Sequence, residues 1–234
     1  MFRTAWTLTH LRGIPLRLHV SLLLVVPFIA TSVAARDLPF LLYRLGVDPT
    51  ALTLPPLALG LAVALALFAG VLLHELGHAF TALRYGARVR AITLMVLGGV
   101  TEIDHPDATA RQRFWTALNG PLVSFAVGAA ALGLSRIPGL PLDVVVVALI
   151  VGLLNLVIAV FNLLPAFPLD GGRMLKAVLG FWMSEEAATR LAAGLGRGLA
   201  VLGLIYGLMR GDVFLAVIAL FLFTGAGSEL ARVQ

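Results

Sequence analysis

The stretch Leu57–Phe80, LALGLAVALALFAGVLLHELGHAF, decides the fold of this chain. It has the length of about 20 mostly apolar residues that a helix needs to cross a bilayer. Its last turns nevertheless contain His74, Glu75 and His78. Ionisable groups inside a membrane span are costly and are by default functional. The stretch therefore predicts a membrane helix that also carries chemistry.

The composition places the whole chain among membrane proteins. Hydrophobic residues make up 60% of the 234 residues and charged residues 12%, whereas soluble domains contain about 25% charged residues. We expect no cleaved signal peptide, because the N-terminus is polar and basic for too long and no cleavage site follows the first apolar run. Cysteine is absent, so any metal must be bound through nitrogen and oxygen.

Hydropathy divides the chain into apolar segments of about the length that a spanning helix needs. The six segments cover residues 18–36, 57–83, 114–135, 143–165, 188–209 and 212–230. Residues 87–103 are rich in β-branched side chains and are interrupted by Gly98-Gly99, which is typical of a strand-like hairpin. We predict an all-α polytopic membrane protein of about six transmembrane helices, with a short membrane-associated β segment between helices two and three. Residues 1–234 are expected to form a single membrane-embedded domain.

Lysine and arginine predict the orientation through the positive-inside rule. Twelve of them fall on one side of the predicted spans: Arg3, Arg12, Arg17, Arg84, Arg88, Arg90, Arg111, Arg113, Arg173, Lys176, Arg190 and Arg232. Four fall on the other side: Arg36, Arg44, Arg136 and Arg210. We therefore expect both termini and the histidine motif toward the cytosol. The arginines form no basic stripe, so the net charge of +5 does not indicate a nucleic-acid partner.

The motif HELGH has the spacing of a zinc site. Residues i and i+4 share one face of a helix, so His74 and His78 can bind one zinc ion through imidazole nitrogens. Glu75 follows the first histidine and can act as general base toward a water on the metal. The alternative is a His/Glu cluster that only forms hydrogen bonds between helices. The membrane setting favours the metal site.

A catalytic zinc site usually has three protein ligands and one open position. The candidates for the third ligand are Glu102, Asp104, His105, Asp107, Asp170, Glu185 and Glu186. We favour Asp170, because its depth matches that of His78 and because Gly171-Gly172 allows a close approach of the backbone. The alternative is that Asp170 caps a helix that begins in DGGRML.

These motifs together resemble the site-2 proteases, a family of intramembrane zinc metalloproteases. The resemblance rests on HELGH, on NGPLV (Asn119 to Val123) in the third span, and on NLLPAFPLDGG (Asn162 to Gly172) after the fourth. GIPLRLHVSLLL before the first span and LGGVTEI between the second and third are similar to the six-span subgroup. Many members of that subgroup carry a C-terminal nucleotide-binding regulatory domain and others an inserted PDZ domain. We expect neither within residues 1–234.

The resemblance implies a fold, a cofactor and a reaction. Zinc would be bound by His74, His78 and Asp170, with Glu75 as the base. Asn162 would stabilise the oxyanion of the reaction, although its amide could instead form an interhelical hydrogen bond. The expected partners are transmembrane substrate proteins and the lipid bilayer of a prokaryotic cell, and the expected process is regulated intramembrane proteolysis. The sequence leaves homo-oligomerisation open.

Three other functions compete with this interpretation. A metal transporter would need polar residues along a whole transmembrane path, and the first, third and sixth predicted spans offer few. An observed flux of metal ions across the membrane would favour this function. A membrane zinc protease of the prenyl-protein type usually takes its third ligand from a downstream glutamate on a helix, and the one glutamate after Glu75 within a predicted span is Glu229, at the end of the sixth. Hydrolysis of soluble peptides would favour that type. An inactive scaffold would be expected to lack a ligand or the base.

Overall fold

The computed structural model describes residues 4–96 and 98–231. Arg3 and Arg232 of the orientation argument, and Leu97 of the predicted β segment, lie outside the described residues. The helices are α1 (Leu22–Ser32), α2 (Leu38–Leu45), α3 (Pro56–Arg84), α4 (Ala110–Leu134), α5 (Leu142–Asn162), α6 (Asp170–Leu179), α7 (Glu185–Arg210) and α8 (Val213–Ala231). A π-helical turn, Val33–Asp37, joins α1 to α2.

The helices confirm the predicted fold class. Five continuous helical segments among the described residues are long and apolar enough to cross a membrane: Leu22–Leu45, Pro56–Arg84, Ala110–Leu134, Leu142–Asn162 and Glu185–Arg210. Helix α8, at 19 residues, is also apolar but is shorter than these five. The chain is therefore an integral membrane protein with five long spans and one shorter apolar helix, in the order that hydropathy predicts.

The small sheet is larger than the sequence predicts. Its strands are β1 (Ala5–Leu11), β2 (Ile14–His19), β3 (Arg88–Met95) and β4 (Gly98–Asp104), in the spatial order β1-β2-β3-β4. The β3–β4 hairpin was predicted, but the β1–β2 hairpin was not. Strand β2 pairs with β1 antiparallel and with β3 parallel, so β3 lies inside the sheet and β4 forms an edge.

The unpredicted hairpin turns at Arg12 and Gly13. Both have positive φ, 50° and 84°, between the paired residues Leu11 and Ile14. Positive φ at both central residues is the pattern of a type I′ turn, which matches the twist of two antiparallel strands. Glycine adopts this conformation without steric cost. The hairpin places β2 beside β3 and completes the sheet.

Helix α3 is the centre of the fold. One apolar cluster packs Leu59 and Val63 of α3 against Leu38 of α2 and Val146 of α5. Toward its C-terminal end α3 also contacts α4, β3 and β4. Helices α7 and α8 pack together and contact the loop 163–169 that leads into α6. This arrangement surrounds the last turns of α3 with other elements of the protein.

Candidate metal centre

His74 and His78 point from one face of α3 toward each other. Their Nε2 atoms are 3.1 Å apart, and Asp170 Oδ2 lies 3.1 Å from the first and 3.2 Å from the second. All three residues are buried. Zinc–ligand bonds of about 2.0–2.1 Å in a tetrahedral site place neighbouring ligand atoms about 3.3–3.4 Å apart. The three atoms therefore form a triangle of nearly the size that one face of such a site requires.

The other ring nitrogen of each histidine is already engaged. His78 Nδ1 lies 2.7 Å from the carbonyl oxygen of Thr116, which can only accept a hydrogen bond, so Nδ1 carries the proton. His74 Nδ1 lies 2.9 Å from Oγ of the fully buried Ser124. A neutral imidazole that donates through Nδ1 presents a lone pair at Nε2. The lone pair of His78 thus converges with the Asp170 carboxylate, which suits a cation at the centre of the triangle.

Asp170 reaches this point because the preceding chain folds back on itself. It is the first residue of α6, and Gly171 and Gly172 follow it. A Cβ at Gly171 would overlap the carbonyl oxygens of Leu163 and Leu164, and one at Gly172 would lie 2.6 Å from a backbone nitrogen. The two glycines thus permit the close backbone approach that the sequence predicts. They allow Asp170 Oδ2 to lie 3.2 Å from His78 Nε2.

The charge of Asp170 suits a metal ligand. Burial favours the neutral acid, but the positive charge of a protonated His78, hydrogen bonds from His78 and His74, and Arg173 hold the pKa of Asp170 well below its usual range. A cation at the triangle, whether a proton on His78 or a metal ion in its place, thus keeps the carboxyl group ionised. Arg173 Nη1 lies 3.9 Å from Asp170 Oδ1, the oxygen that does not enter the triangle. Asp170 is therefore an ionised carboxylate that offers Oδ2 to the site.

Gly120 of α4 faces the same triangle. A Cβ at this position would overlap His78 Nε2 and would lie 2.7 Å from His74 Nε2. In the sequence, Gly120 is noted only as part of the motif NGPLV. The structure shows a more specific role, because α4 can approach the two histidines only where it lacks a side chain. The signal in the sequence was a single glycine before a proline, which does not reveal what lies opposite.

Glu75 lies beside the triangle and does not belong to it. Its side chain points toward β4, where Thr101 Oγ1 lies 2.6 Å from Glu75 Oε2. Glu75 is buried in the protein but lines two cavities. Its position separates it from the group of atoms that could bind a metal, as expected for a base that acts on a water molecule.

Asn162 ends α5 on the opposite wall. Its Nδ2 donates a hydrogen bond to the carbonyl oxygen of Ile158 at 2.9 Å, within its own helix, and the side chain lines the cavity that contains the triangle. The predicted alternative, an interhelical hydrogen bond, is not formed among the described residues. One N–H of the amide remains to donate into the cavity.

Three contiguous cavities follow β4. A central cavity of about 430 Å³ contains His74, Glu75, His78, Thr101, Asn162 and Asp170. An apolar cleft of about 410 Å³ continues from it past Glu75 and Asn162, between Ile29, Val71, Val157, Phe161, Ile218 and Phe221. A polar vestibule of about 640 Å³ continues from it on the other side past His78 and Thr101, and contains Arg90, Glu102, Asp104, Arg113, Arg173 and Lys176.

The other candidate ligands do not join the triangle. His74, His78 and Asp170 are the one group of three possible ligands found in residues 4–96 and 98–231. Asp104 pairs with Arg90, which holds the pKa of that exposed carboxyl below its usual range, and Glu185 pairs with Arg113 and Lys176. Glu186 pairs with Arg190. The remaining three, Glu102, His105 and Asp107, lie outside the group.

Comparisons with known proteins identify the family of this chain. The model of peptidase family M50 matches residues 62–141 and 138–205. A zinc metalloprotease of Methanocaldococcus jannaschii is 38% identical over 168 residues, which cover 72% of this chain and 49% of that protein. The stage IV sporulation protein FB of Bacillus subtilis is 31% identical over 122 residues, 52% of this chain and 41% of that protein. The chain thus spans about half the length, or less, of these curated relatives.

A solved structure is similar over almost the whole chain. The site-2 protease from Methanocaldococcus jannaschii matches with a TM-score of 0.66 and 31% sequence identity. The match covers 97% of this chain and 95% of the solved chain. The similarity therefore includes the sheet, the long helices and the region of the candidate metal centre.

The contact of Gly120 with both histidines generates a prediction about the metal. Gly120→Ala should displace the imidazoles and lower the zinc affinity by about tenfold or more, because neither ring can keep its position beside the new methyl group. Gly133→Ala is the matched control on the same helix, since a Cβ there meets nothing within 4 Å. Zinc titration of both purified variants measures the effect. Equal zinc affinity in the two variants would show that α4 can shift to accommodate the methyl group without disturbing the metal site.

Proposed function

Because this chain belongs to peptidase family M50, we propose that it is an intramembrane zinc endopeptidase that hydrolyses peptide bonds within or near transmembrane segments of membrane proteins. The membership confirms the resemblance to the site-2 proteases drawn from its motifs. The observation that carries the proposal is the buried triangle of His74, His78 and Asp170 with Glu75 beside it. The assignment of residues 1–234 to one metalloprotease domain is part of the proposal.

The cofactor of the proposal is zinc, bound by His74, His78 and Asp170. Two imidazole nitrogens and a carboxylate oxygen are a usual donor set for catalytic zinc. When bound, the ion would act as a Lewis acid that polarises the scissile carbonyl and activates water. The hydrogen bonds that link His74 Nδ1 to Ser124 and His78 Nδ1 to Thr116 would hold the rings so that each Nε2 faces the ion.

Glu75 would move the proton of the reaction. Its carboxylate accepts a proton from the attacking water as the water oxygen bonds to the carbonyl carbon. It then delivers this proton to the amide nitrogen as the carbon–nitrogen bond breaks, so that one new carboxyl and one new amine result. Asn162 would donate the free N–H of its side chain to the negative charge that develops on the carbonyl oxygen.

The proposed orientation places the site toward the cytosol, with both termini on that side. The polar vestibule beside the metal centre contains Arg90, Arg113, Arg173 and Lys176. An excess of such residues is characteristic of the cytosolic side of membrane proteins. Water would reach the centre through the vestibule, and a substrate span would enter from the apolar cleft.

The class of reaction can be tested with the purified chain in detergent. The experiment is incubation with a panel of single-span membrane proteins, with and without a zinc chelator. Cleavage within or beside the span that stops on chelation and returns with zinc supports the proposal. Cleavage of soluble peptides alone, or zinc-dependent binding without cleavage, would contradict it.

Mutation of the proposed base, Glu75, and of the proposed ligand, Asp170, should have different effects on zinc content. Glu75→Gln keeps the shape of the side chain but cannot accept the proton, so we expect normal zinc content without turnover. Asp170→Ala removes one corner of the triangle, so we expect loss of both zinc and activity. Elemental analysis and cleavage assays of the two variants test this. An Asp170 variant with full zinc occupancy and near-normal cleavage would remove Asp170 from the site.

Asn162 generates a prediction on turnover alone. If it donates to the oxyanion, Asn162→Ala should lower kcat by about 10²–10³ with zinc content unchanged. Asn119→Ala is the matched control, because Asn119 makes the same hydrogen bond to its own helix, at 2.9 Å from the carbonyl oxygen of Trp115. A loss of metal, or an equal loss of activity in both variants, would favour a packing role for Asn162.

The substrate prediction follows from backbone chemistry. A peptide bond in an intact helix is inaccessible, and exposing unpaired backbone groups in lipid costs several kcal/mol each. Glycine, proline or asparagine near the cut should therefore raise the rate, and leucine should lower it. Within residues 4–96 and 98–231, β4 is an edge strand of the sheet, and its outer edge could pair with the unwound segment. Rates for a matched glycine and leucine substrate pair test the unwinding step, and equal rates would show that unwinding does not limit cleavage.

Pairing of the substrate with β4 can be tested in the same cleavage assay. Alternate residues of a strand direct their N–H groups to the same neighbour. N-methylation of successive substrate amides near the cut should therefore slow cleavage with a period of two residues. A uniform effect would exclude pairing with β4.

A further inference from the structure

Glu75 needs a support of its own, because it is not held by the metal. The carboxylate of a general base must keep one oxygen directed at the proton it accepts. A glutamate has several rotatable bonds, and its rotamers differ in where this oxygen lies. The proposed function thus requires a contact that fixes the side chain of Glu75, and β4 supplies two.

The first contact is a hydrogen bond. Thr101 Oγ1 lies 2.6 Å from Glu75 Oε2 and 3.3 Å from the backbone carbonyl oxygen of Glu75. A hydroxyl has one proton to donate, and the shorter distance and the charge of the carboxylate favour Oε2. Thr101 therefore binds one of the two carboxylate oxygens and leaves Oε1 free to react.

The second contact is the close approach of the Glu75 side chain to Gly99, which is possible because Gly99 has no side chain. Gly99 and Thr101 are two residues apart on β4, so they face the same side of the strand. A Cβ at Gly99 would overlap Cγ of Glu75 and would lie 2.7 Å from Oε1. Strand β3 fixes the register of both residues, since Leu94 pairs with Gly99 and Ile92 with Thr101. Strand β4 thus binds Oε2 of Glu75 through Thr101 and leaves space for Oε1 at Gly99.

We infer that Thr101 is a positioning residue that orients the Glu75 carboxylate for proton transfer. The inference rests on the proposed function and adds a residue to it. With Oε2 bound to Thr101, Oε1 receives the proton from water and passes it to the leaving nitrogen. Without the hydroxyl the carboxylate rotates freely, so proton transfer slows while substrate binding and zinc binding remain.

The test compares Thr101→Val with Thr101→Ser in the full chain. Valine keeps the size of the side chain but removes the hydroxyl, so kcat should fall by about 10–100-fold, with KM and zinc content near wild type. Serine keeps the hydroxyl and should retain most of kcat.

Thr93→Val is a matched control on the neighbouring strand. Thr93 is fully buried, and its Oγ1 has no hydrogen-bond partner among the described residues. Loss of this hydroxyl should leave kcat unchanged. A similar loss of kcat in the Thr93 variant, an equal loss in Thr101→Ser, or an unchanged kcat in Thr101→Val would each overturn the inference.

An infrared measurement tests the contact without turnover. The spectrum of each protein minus that of its Glu75→Gln derivative isolates the carboxylate band of Glu75. This band should shift in Thr101→Val and stay in place in Thr101→Ser and Thr93→Val. A shift in a protein that cleaves no substrate would refute the proposed function and leave the contact standing. Cleavage by a Thr101→Val protein with an unshifted band would refute the contact and leave the function standing.

Discussion

The rest of the structure depends on three Lewis-basic atoms. They lie about as far apart as the ligands of one zinc ion. The two histidine nitrogens and the carboxylate oxygen of Asp170 lie 3.1–3.2 Å apart and away from bulk water. Lone pairs and negative charge at this distance repel unless a cation lies between them. The elements that carry them, α3 and α6, must also be held together against that repulsion, and α4 must pass close enough to bind the outer ring nitrogens.

Two features meet these demands. One is glycine at the points of close contact. Gly120 faces the imidazoles, and Gly171 and Gly172 let the chain before α6 fold back on itself. The other is the cover over the loop 163–169. Irregular backbone at membrane depth is tolerated only where protein buries it or where it lines an aqueous cavity. Helices α7 and α8 pack on Ala166 and Phe167 and provide this cover, so the helices that hold no metal ligand still position Asp170.

The sequence predicts the parts of this design that depend on local pattern. Span positions follow from hydropathy because bilayer thickness fixes their length. The β1–β2 hairpin was missed because its place depends on a long-range parallel pairing, Leu16 with Ile92, which no local pattern reveals. Asp170 could be favoured over the six other candidate ligands from its position along the chain and from the two glycines that follow it. The roles of Gly120 and Thr101 could not be predicted, because each depends on which side chain a neighbouring element presents across a contact.

Strand β4 joins recognition to chemistry in the proposed function. It begins with Gly98 at the apolar cleft and ends with Asp104 in the polar vestibule. One face contacts Glu75, and the free edge offers backbone groups to an extended peptide. A peptide paired along this edge would have apolar side chains at one end and polar side chains at the other, with the base beside its middle. A sequence of that polarity occurs where a transmembrane span meets the aqueous phase. In the proposed function, the strand would therefore favour bonds near the end of a span over bonds at its centre, because only near the end would both halves of the peptide meet a cavity of their own polarity.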